Sequence, residues 1–185
     1  MNLYALGHIF DEFVGKHIDL QSDLTKSTED IRWKMMMDVF LGFKKVHEDF
    51  ISSLAMVGIE LYPANFIVMI CDIIPDGYED TTDNMPRKKA EETKKIHEIT
   101  KAKLNSAAVS ETKSYSIDLG NTGIVSLLSF ESDDADNNTL IALSIANEIH
   151  NFISENEECS GYRLFTSVSY FHRNAAELHR AYSEA

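Results

Sequence analysis

The sequence predicts an α+β fold: an antiparallel sheet with flanking helices, preceded by a long N-terminal helix. Three observations predict it. Residues 65–72 form a continuous β-rich run, the pattern of a central strand buried on both faces. A tight turn, Gly120-Asn121-Thr122-Gly123, joins two strand-like runs at 114–119 and 124–130. Its Gly and Asn residues supply the positive φ angles that short hairpin connections need. Amphipathic stretches with helical spacing separate and flank these strands.

The elements follow in order. In residues 1–31, Leu3, Leu6, Phe10, Phe13, His17, Leu20, Leu24, Ser27 and Ile31 recur in alternating steps of three and four. A spacing held near 3.5 residues is the seam of a coiled coil; the other reading is one amphipathic helix packed on its own domain. The polar members His17 and Ser27 weaken such a seam but fix its register and strand number. A second helix is expected over 30–41, with Trp33, Met36, Met37 and Phe40 on one face. The consecutive methionines Met35, Met36 and Met37 read as filling for an irregular core. A short helix over 47–57 carries an apolar stripe of Phe50, Ile51, Leu54 and Val57 and is capped by Gly58.

The central strand is expected to end at Pro75-Asp76-Gly77, before a polar, acidic loop over 78–84. A charged helix over 86–107 starts at Pro86, a residue suited to a first turn, and turns Ala90, Ile96, Ile99 and Leu104 inward. After the hairpin, an acidic loop over 132–138 caps a helix over 139–156. Its buried side is Leu140, Leu143, Ile145, Ala146, Ile149, Phe152 and Ile153. A strand over 162–171 and a last helix over 175–185 complete the chain. Strand, helix, strand, strand, helix, strand, helix is an α+β sandwich of the ferredoxin-like or nucleotidyl-cyclase kind.

Composition excludes several function classes. Seventeen basic and 30 acidic residues give a net charge of -13, which repels phosphate backbones and anionic membranes alike. No apolar stretch approaches the ~18 residues of a membrane span. The N-terminus, with Asp11, Glu12 and Asp19, is not a signal peptide, although it could follow a membrane helix in a longer parent chain. Cys71 and Cys159 are isolated thiols without metal spacing, Cys71 reading as a buried core residue. A cytoplasmic location is the expectation.

Chemical motifs are sparse. The seven histidines, His8, His17, His47, His97, His150, His172 and His179, form no i, i+4 pair, and neither a zinc site nor any cofactor is expected. His172 and His179 flank the turn into the last helix and could meet Asp or Glu neighbours, with exposed histidine the preferred reading. Neither a G-x-S-x-G elbow nor a phosphate-cradling glycine loop occurs. Arg87, Lys88, Lys89, Lys94 and Lys95 are interleaved with Glu91, Glu92 and Glu98, the pattern of a solvated helix face.

The layout over 61–185 resembles the GGDEF domain of diguanylate cyclases, and more closely the degenerate GGDEF-like regions of AraC-type transcriptional regulators and their response-regulator relatives. Residues 32–42 (RWKMMMDVFLG) look like that family's helix leading into the domain. Residues 54–61 (LAMVGIEL) and 66–70 (FIVMI) resemble its approach to the first strand, and 166–169 (TSVS) with 176–185 (AELHRAYSEA) its closing strand and helix. The resemblance implies three parts: a coiled-coil signalling helix over 1–34, a helical connector over 35–58 and a degenerate GGDEF-like domain over 59–185.

An active cyclase of that family holds divalent metal with one acid at the end of the first strand and another in the hairpin. Asp72 stands at the first position, and no carboxylate stands at 121–124. Ser169 replaces the usual glycine of the closing strand. One carboxylate cannot hold the two metals of such phosphoryl chemistry. Asp72 is thus a weak metal candidate, readable as the ligand of a single cation or, preferably, as a strand-end acid capping the next turn.

The resemblance therefore implies a bacterial, non-catalytic signalling module, homodimeric through its N-terminal helix and belonging to a transcription regulator of AraC or two-component type. DNA would be contacted only by a helix-turn-helix region beyond Ala185. The alternative is a nucleotide-binding sensor, or a nucleotidyl cyclase with atypical metal-binding acids.

Overall fold

The computed structural model describes residues 26–46, 49–76, 87–106, 111–120 and 123–185, with backbone alone for 87–90. The first helix, α1, spans 26–40 without a break, crossing from the expected signalling helix into the connector. Helix α2 is Phe50–Met56, followed by β1 (Phe66–Pro75), α3 (Arg87–Ser106), β2 (Thr112–Asp118) and β3 (Ile124–Phe130). Helix α4 (Ala135–Glu155), β4 (Tyr162–Val168) and α5 (Leu178–Glu184) complete the order. Of the heptad seam, Leu3, Leu6, Phe10, Phe13, His17, Leu20 and Leu24 lie outside the described residues, while Ser27 and Ile31 fall on α1.

The four strands form one antiparallel sheet in the order β2-β3-β1-β4. Each crossover therefore skips one strand: β1 reaches β2 through α3 past β3, and β3 reaches β4 through α4 past β1. This is a doubled split-βαβ arrangement, and the expected antiparallel α+β architecture is the one found.

Alternation along β1 divides the interior into two cores. Ile67, Met69, Cys71 and Ile73 face α3 and α4, packing with Ile96, Leu104, Ile145, Ile149 and Ile153. Phe66 and Val68 face the opposite way, against Met36 and Phe40 of α1, Leu54 of α2, and Leu178 and Ala181 of α5. A strand covered on both sides needs no polar alternation, which is why its sequence reads as one apolar run. Met36 is fully buried there, as the methionine run suggested.

Hydrogen bonds fasten α1 to its neighbours. Arg32 Nε donates to the Val57 carbonyl at the C-terminus of α2, where a cation also complements the helix dipole. Trp33 Nε1 donates to the Asp118 carbonyl at 2.9 Å. His179 Nδ1 of α5 donates to the Phe40 carbonyl at 2.8 Å, supplying one of the partners that a helix C-terminus lacks. Gly58 ends α2 as expected. Its φ is +78°, and the bonds from the Ile59 amide to the Leu54 carbonyl and from the Gly58 amide to the Ala55 carbonyl make a Schellman cap.

Several sequence expectations need correction. Helix α4 starts at Ala135, four residues before the expected 139, because Asp134 is its N-cap, accepting from the Asn137 amide at 3.1 Å, and Asp136 lies in the first turn. Acidic residues that read as a loop thus belong to the helix start, where the dipole favours them. Leu140 and Leu143 are 66% and 45% exposed, and Ala142 takes the inward position instead. Strand β1, by contrast, ends at Pro75 as expected, pairing there with Tyr162 beyond the reach of β3. Strand β4 ends at Val168, where Ser169 folds in: its hydroxyl accepts from the Val68 amide and donates to the Tyr170 carbonyl.

Two substitutions check this packing. Leu127→Ala, at a fully buried β3 position, is expected to cost about 2–5 kcal/mol in urea unfolding. Gly58→Ala is expected to cost roughly 1–2 kcal/mol, because a Cβ there is left-handed and would lie 2.6 Å from the Arg32 guanidinium.

Candidate functional site

The hairpin end of the sheet gathers the chemistry-bearing residues. Asp118 at the end of β2 pairs with Ile124 of β3, and Ile124 pairs in turn with Cys71 of β1. Asp72 is the next residue along. Gly123 has φ +126°, and a Cβ on it would lie 2.5 Å from the Cys71 carbonyl and 2.7 Å from Asp72 Oδ1. Only glycine lets the hairpin close this tightly against β1. Of the turn itself, Asn121 and Thr122 lie outside the described residues.

The two aspartates face opposite layers. Asp118 points towards α3, where its Oδ1 lies 3.0 Å from Nδ1 of His97 and accepts from the Gly120 amide at 2.7 Å. Because the ionised carboxylate only accepts, His97 donates to it through Nδ1, which turns its Nε2 the other way. That Nε2 is buried and has no hydrogen-bond partner among the described residues. Asp72 has the same parity along β1 as Val68 and Ile70, so it faces the α1, α2 and α5 layer. Its carboxylate has no hydrogen bond or ion pair among the described residues.

Their protonation follows from these settings. Burial works against the charged form of Asp118, but the His97 bond, the Gly120 amide and attraction to His97 and Lys101 outweigh it, and its pKa lies below the ordinary value. Asp72 feels burial alone, which pushes it up. Burial likewise pushes the Cys71 thiol up to about 11, with the Asp72 charge adding to it against the weak Thr166 contact. Cys71 is accordingly an inert core thiol rather than a nucleophile.

Among the described residues Asp72 caps no turn, contrary to the preferred sequence reading. It sits inside β1 opposite Phe165, three residues before the strand ends. Among the described residues, no group of three or more His, Cys, Asp or Glu side chains is placed to hold a metal ion.

A second cluster lies at the other end of β1. His172, expected to be exposed, is only 5% exposed, bridging to Phe66 through two backbone hydrogen bonds. Its Nε2 lies 2.9 Å from Glu184 and its Nδ1 3.6 Å from Glu177, while Arg180 holds Glu184 at 2.8 Å. The His172 bond first, then Arg180 against the cost of burial, keeps Glu184 below the usual carboxylate range. A cavity of about 460 Å³ opens here, lined by Tyr170, Arg173, Asn174 and these side chains. The two acids meet opposite edges of the imidazole, so they fix α5 to β1 rather than converge on one cation. His179 is exposed as expected, although its ring is engaged by α1.

The His97–Asp118 pair was not recognised in the sequence, and for His172 an acidic partner was the less favoured of two readings. The signal for His97 lay in Thr93, His97 and Thr100, which follow helical spacing into the interior, opposite the inward-facing Ser116 and Asp118 of β2. No protein-family model, curated protein or solved structure matches this chain.

The contrast between the two aspartates predicts opposite mutant effects. The folded pKa of Asp118 is depressed, so its stabilising contribution is present above the unfolded value of ~3.9 and lost as pH falls through the folded one. Asp118→Asn should therefore lower the melting temperature at pH 7, with the gap narrowing in acid. Asp72 is raised, so its charged form costs stability at neutral pH, a cost relieved as pH falls through the folded value. Asp72→Asn should raise the melting temperature at pH 7 and lose that advantage in acid. Thermal unfolding from neutral pH into the carboxylate range reads both, and shifts of the same sign would contradict the geometry.

Proposed function

We propose that this chain is a non-catalytic signal-transducing and dimerisation module of a bacterial transcription regulator, built on a GGDEF-like frame. The observation that carries the reading is the state of the hairpin end. Residues 120–123 contain no carboxylate, and the two nearest aspartates face opposite sides of the sheet, one of them held by His97 and Gly120. Phosphoryl transfer by metal needs acids converging on one face around the triphosphate. The split-βαβ order, with its central hairpin, supports the GGDEF-like frame.

Dimerisation falls to the N-terminal heptads, Leu3, Leu6, Phe10, Phe13, His17, Leu20, Leu24 and Ile31. Ile31, the last of them, is 49% exposed on α1, available to a partner helix. Through Trp33 and Arg32 the same helix grips the hairpin and α2, so a change in helix pairing reaches the domain directly. DNA contact belongs to a region outside this chain, in keeping with its net charge of -13, and a cytoplasmic setting goes with the role. No helix among the described residues is long and apolar enough to cross a membrane.

Two measurements test the proposal. Incubation with GTP or ATP and Mg²⁺ or Mn²⁺ should yield no cyclic product by mass spectrometry; formation of one would establish the cyclase reading instead. Sedimentation should show a dimer that Leu6→Glu with Leu20→Glu converts to monomer, and a wild-type monomer would remove the dimerisation role.

A further inference from the structure

The layer formed by α1, α2 and α5 covers its face of the sheet unevenly. It buries Phe66 and Val68 of β1 with Ile117, Val125 and Leu127 of the hairpin strands. Further along, the same face opens. Register places Ile70 beside Ser167, Asp72 beside Phe165 and Ile74 beside Arg163. Phe165 is 52% and Ile74 37% exposed, Ser167 and Arg163 are exposed, and Ile70 and Asp72 are half-buried. The result is an apolar strip with a carboxylate at its centre.

That carboxylate decides what can cover the strip. Arg163, the nearest cation by register, is turned to Asp76 at 2.8 Å, and Asp72 has no partner among the described residues. Laying an apolar surface over an unpaired carboxylate costs more than the apolar burial returns. The occupant must bring a positive charge. The chain's own undescribed segments are poor sources: 77–86 carries Glu79, Asp80 and Asp83 and no basic residue, and 1–25 sets Lys16 against Asp11, Glu12, Asp19 and Asp23. A second copy brings a net charge of -13. The helices already packed further along this face show the form that fits, an amphipathic helix laid across the strands.

We propose that the strip formed by Ile70, Asp72, Ile74 and Phe165 docks a basic amphipathic helix of a partner protein. Its apolar side covers Ile74 and Phe165, and one lysine or arginine pairs with Asp72. Such helix docking draws its affinity from the apolar anchors and its selectivity from the charge.

The test uses the intact chain, isotopically labelled, with two synthetic helical peptides of the same leucine face, one flanked by lysines and the other by glutamates. The lysine peptide should shift amides of 70–74 and 163–167. Asp72→Lys should weaken it by about tenfold or more and turn the preference towards the glutamate peptide. Phe165→Ser should weaken both peptides. Glu155→Lys, the same charge change at the end of α4 on the other side of the sheet, should leave affinity within about twofold. Melting curves of each variant establish that it is folded.

Equal weakening by Asp72→Lys and Glu155→Lys would reduce the binding to overall charge and overturn the proposal. So would shifts centred on another surface, or no binding of the lysine peptide. A self-association abolished by Phe165→Ser would assign the strip to a second copy, and amide shifts in the free chain on Phe165→Ser reaching into 77–86 would assign it to that segment.

Discussion

Everything in this molecule is referred to one strand that must be buried on both faces. Strand β1 lies between β3 and β4, gives its odd-numbered residues to one core and its early even-numbered residues to the other. The two crossovers, one past β3 and one past β1, lie on the same side of the sheet, which places α3 and α4 together. The other side is left for α1, α2 and α5. Because both cores meet on this strand, its apolar run is the part of the sequence least able to change without loss of packing.

The hairpin end inherits its geometry from that constraint. Gly123 lies so close to β1 that even a methyl group would meet the Cys71 carbonyl and the Asp72 carboxylate. Alternation then sends Asp118 and Asp72 to opposite layers. One finds histidine and an amide; the other finds neither and is left against apolar neighbours. The two acids are not a pair. Asp118 also joins elements distant in sequence, since its carbonyl receives Trp33 of α1 while its side chain binds α3. A helix that brings a signal to this domain would therefore meet the hairpin first.

The legibility of the chain followed the strength of its periodic signals. The apolar run of β1, the Gly- and Asn-rich hairpin and the Gly58 cap each rest on a local rule, and each was readable. The start of α4 was not, because Asp133, Asp134 and Asp136 resemble loop until a helix dipole gives them a place. Leu140 and Leu143 misled because hydrophobicity does not say which face of a helix meets the sheet. The buried polar seam under α3 was hidden for the converse reason: Thr93, His97 and Thr100 look like surface residues until the sheet covers them, with Asp118 of β2 at His97 and Tyr162 of β4 at Thr93. His172 needed Glu184 of α5 and Glu177 of the turn before it, brought to it by the chain's return, before its burial made sense. The candidate site is an assembly of contacts across strands, and Asp72, singled out in the sequence, gave no sign there that it faces away from Asp118.

The functional account stands on the separation of the two aspartates at the sheet end. Site-resolved carboxyl titration by carbon NMR measures it most directly. The account predicts that Asp118 titrates below an ordinary aspartate and Asp72 above one, independently of each other. Two coupled steps shared between Asp72 and Asp118, as expected of acids facing one another across a common metal site, would contradict it.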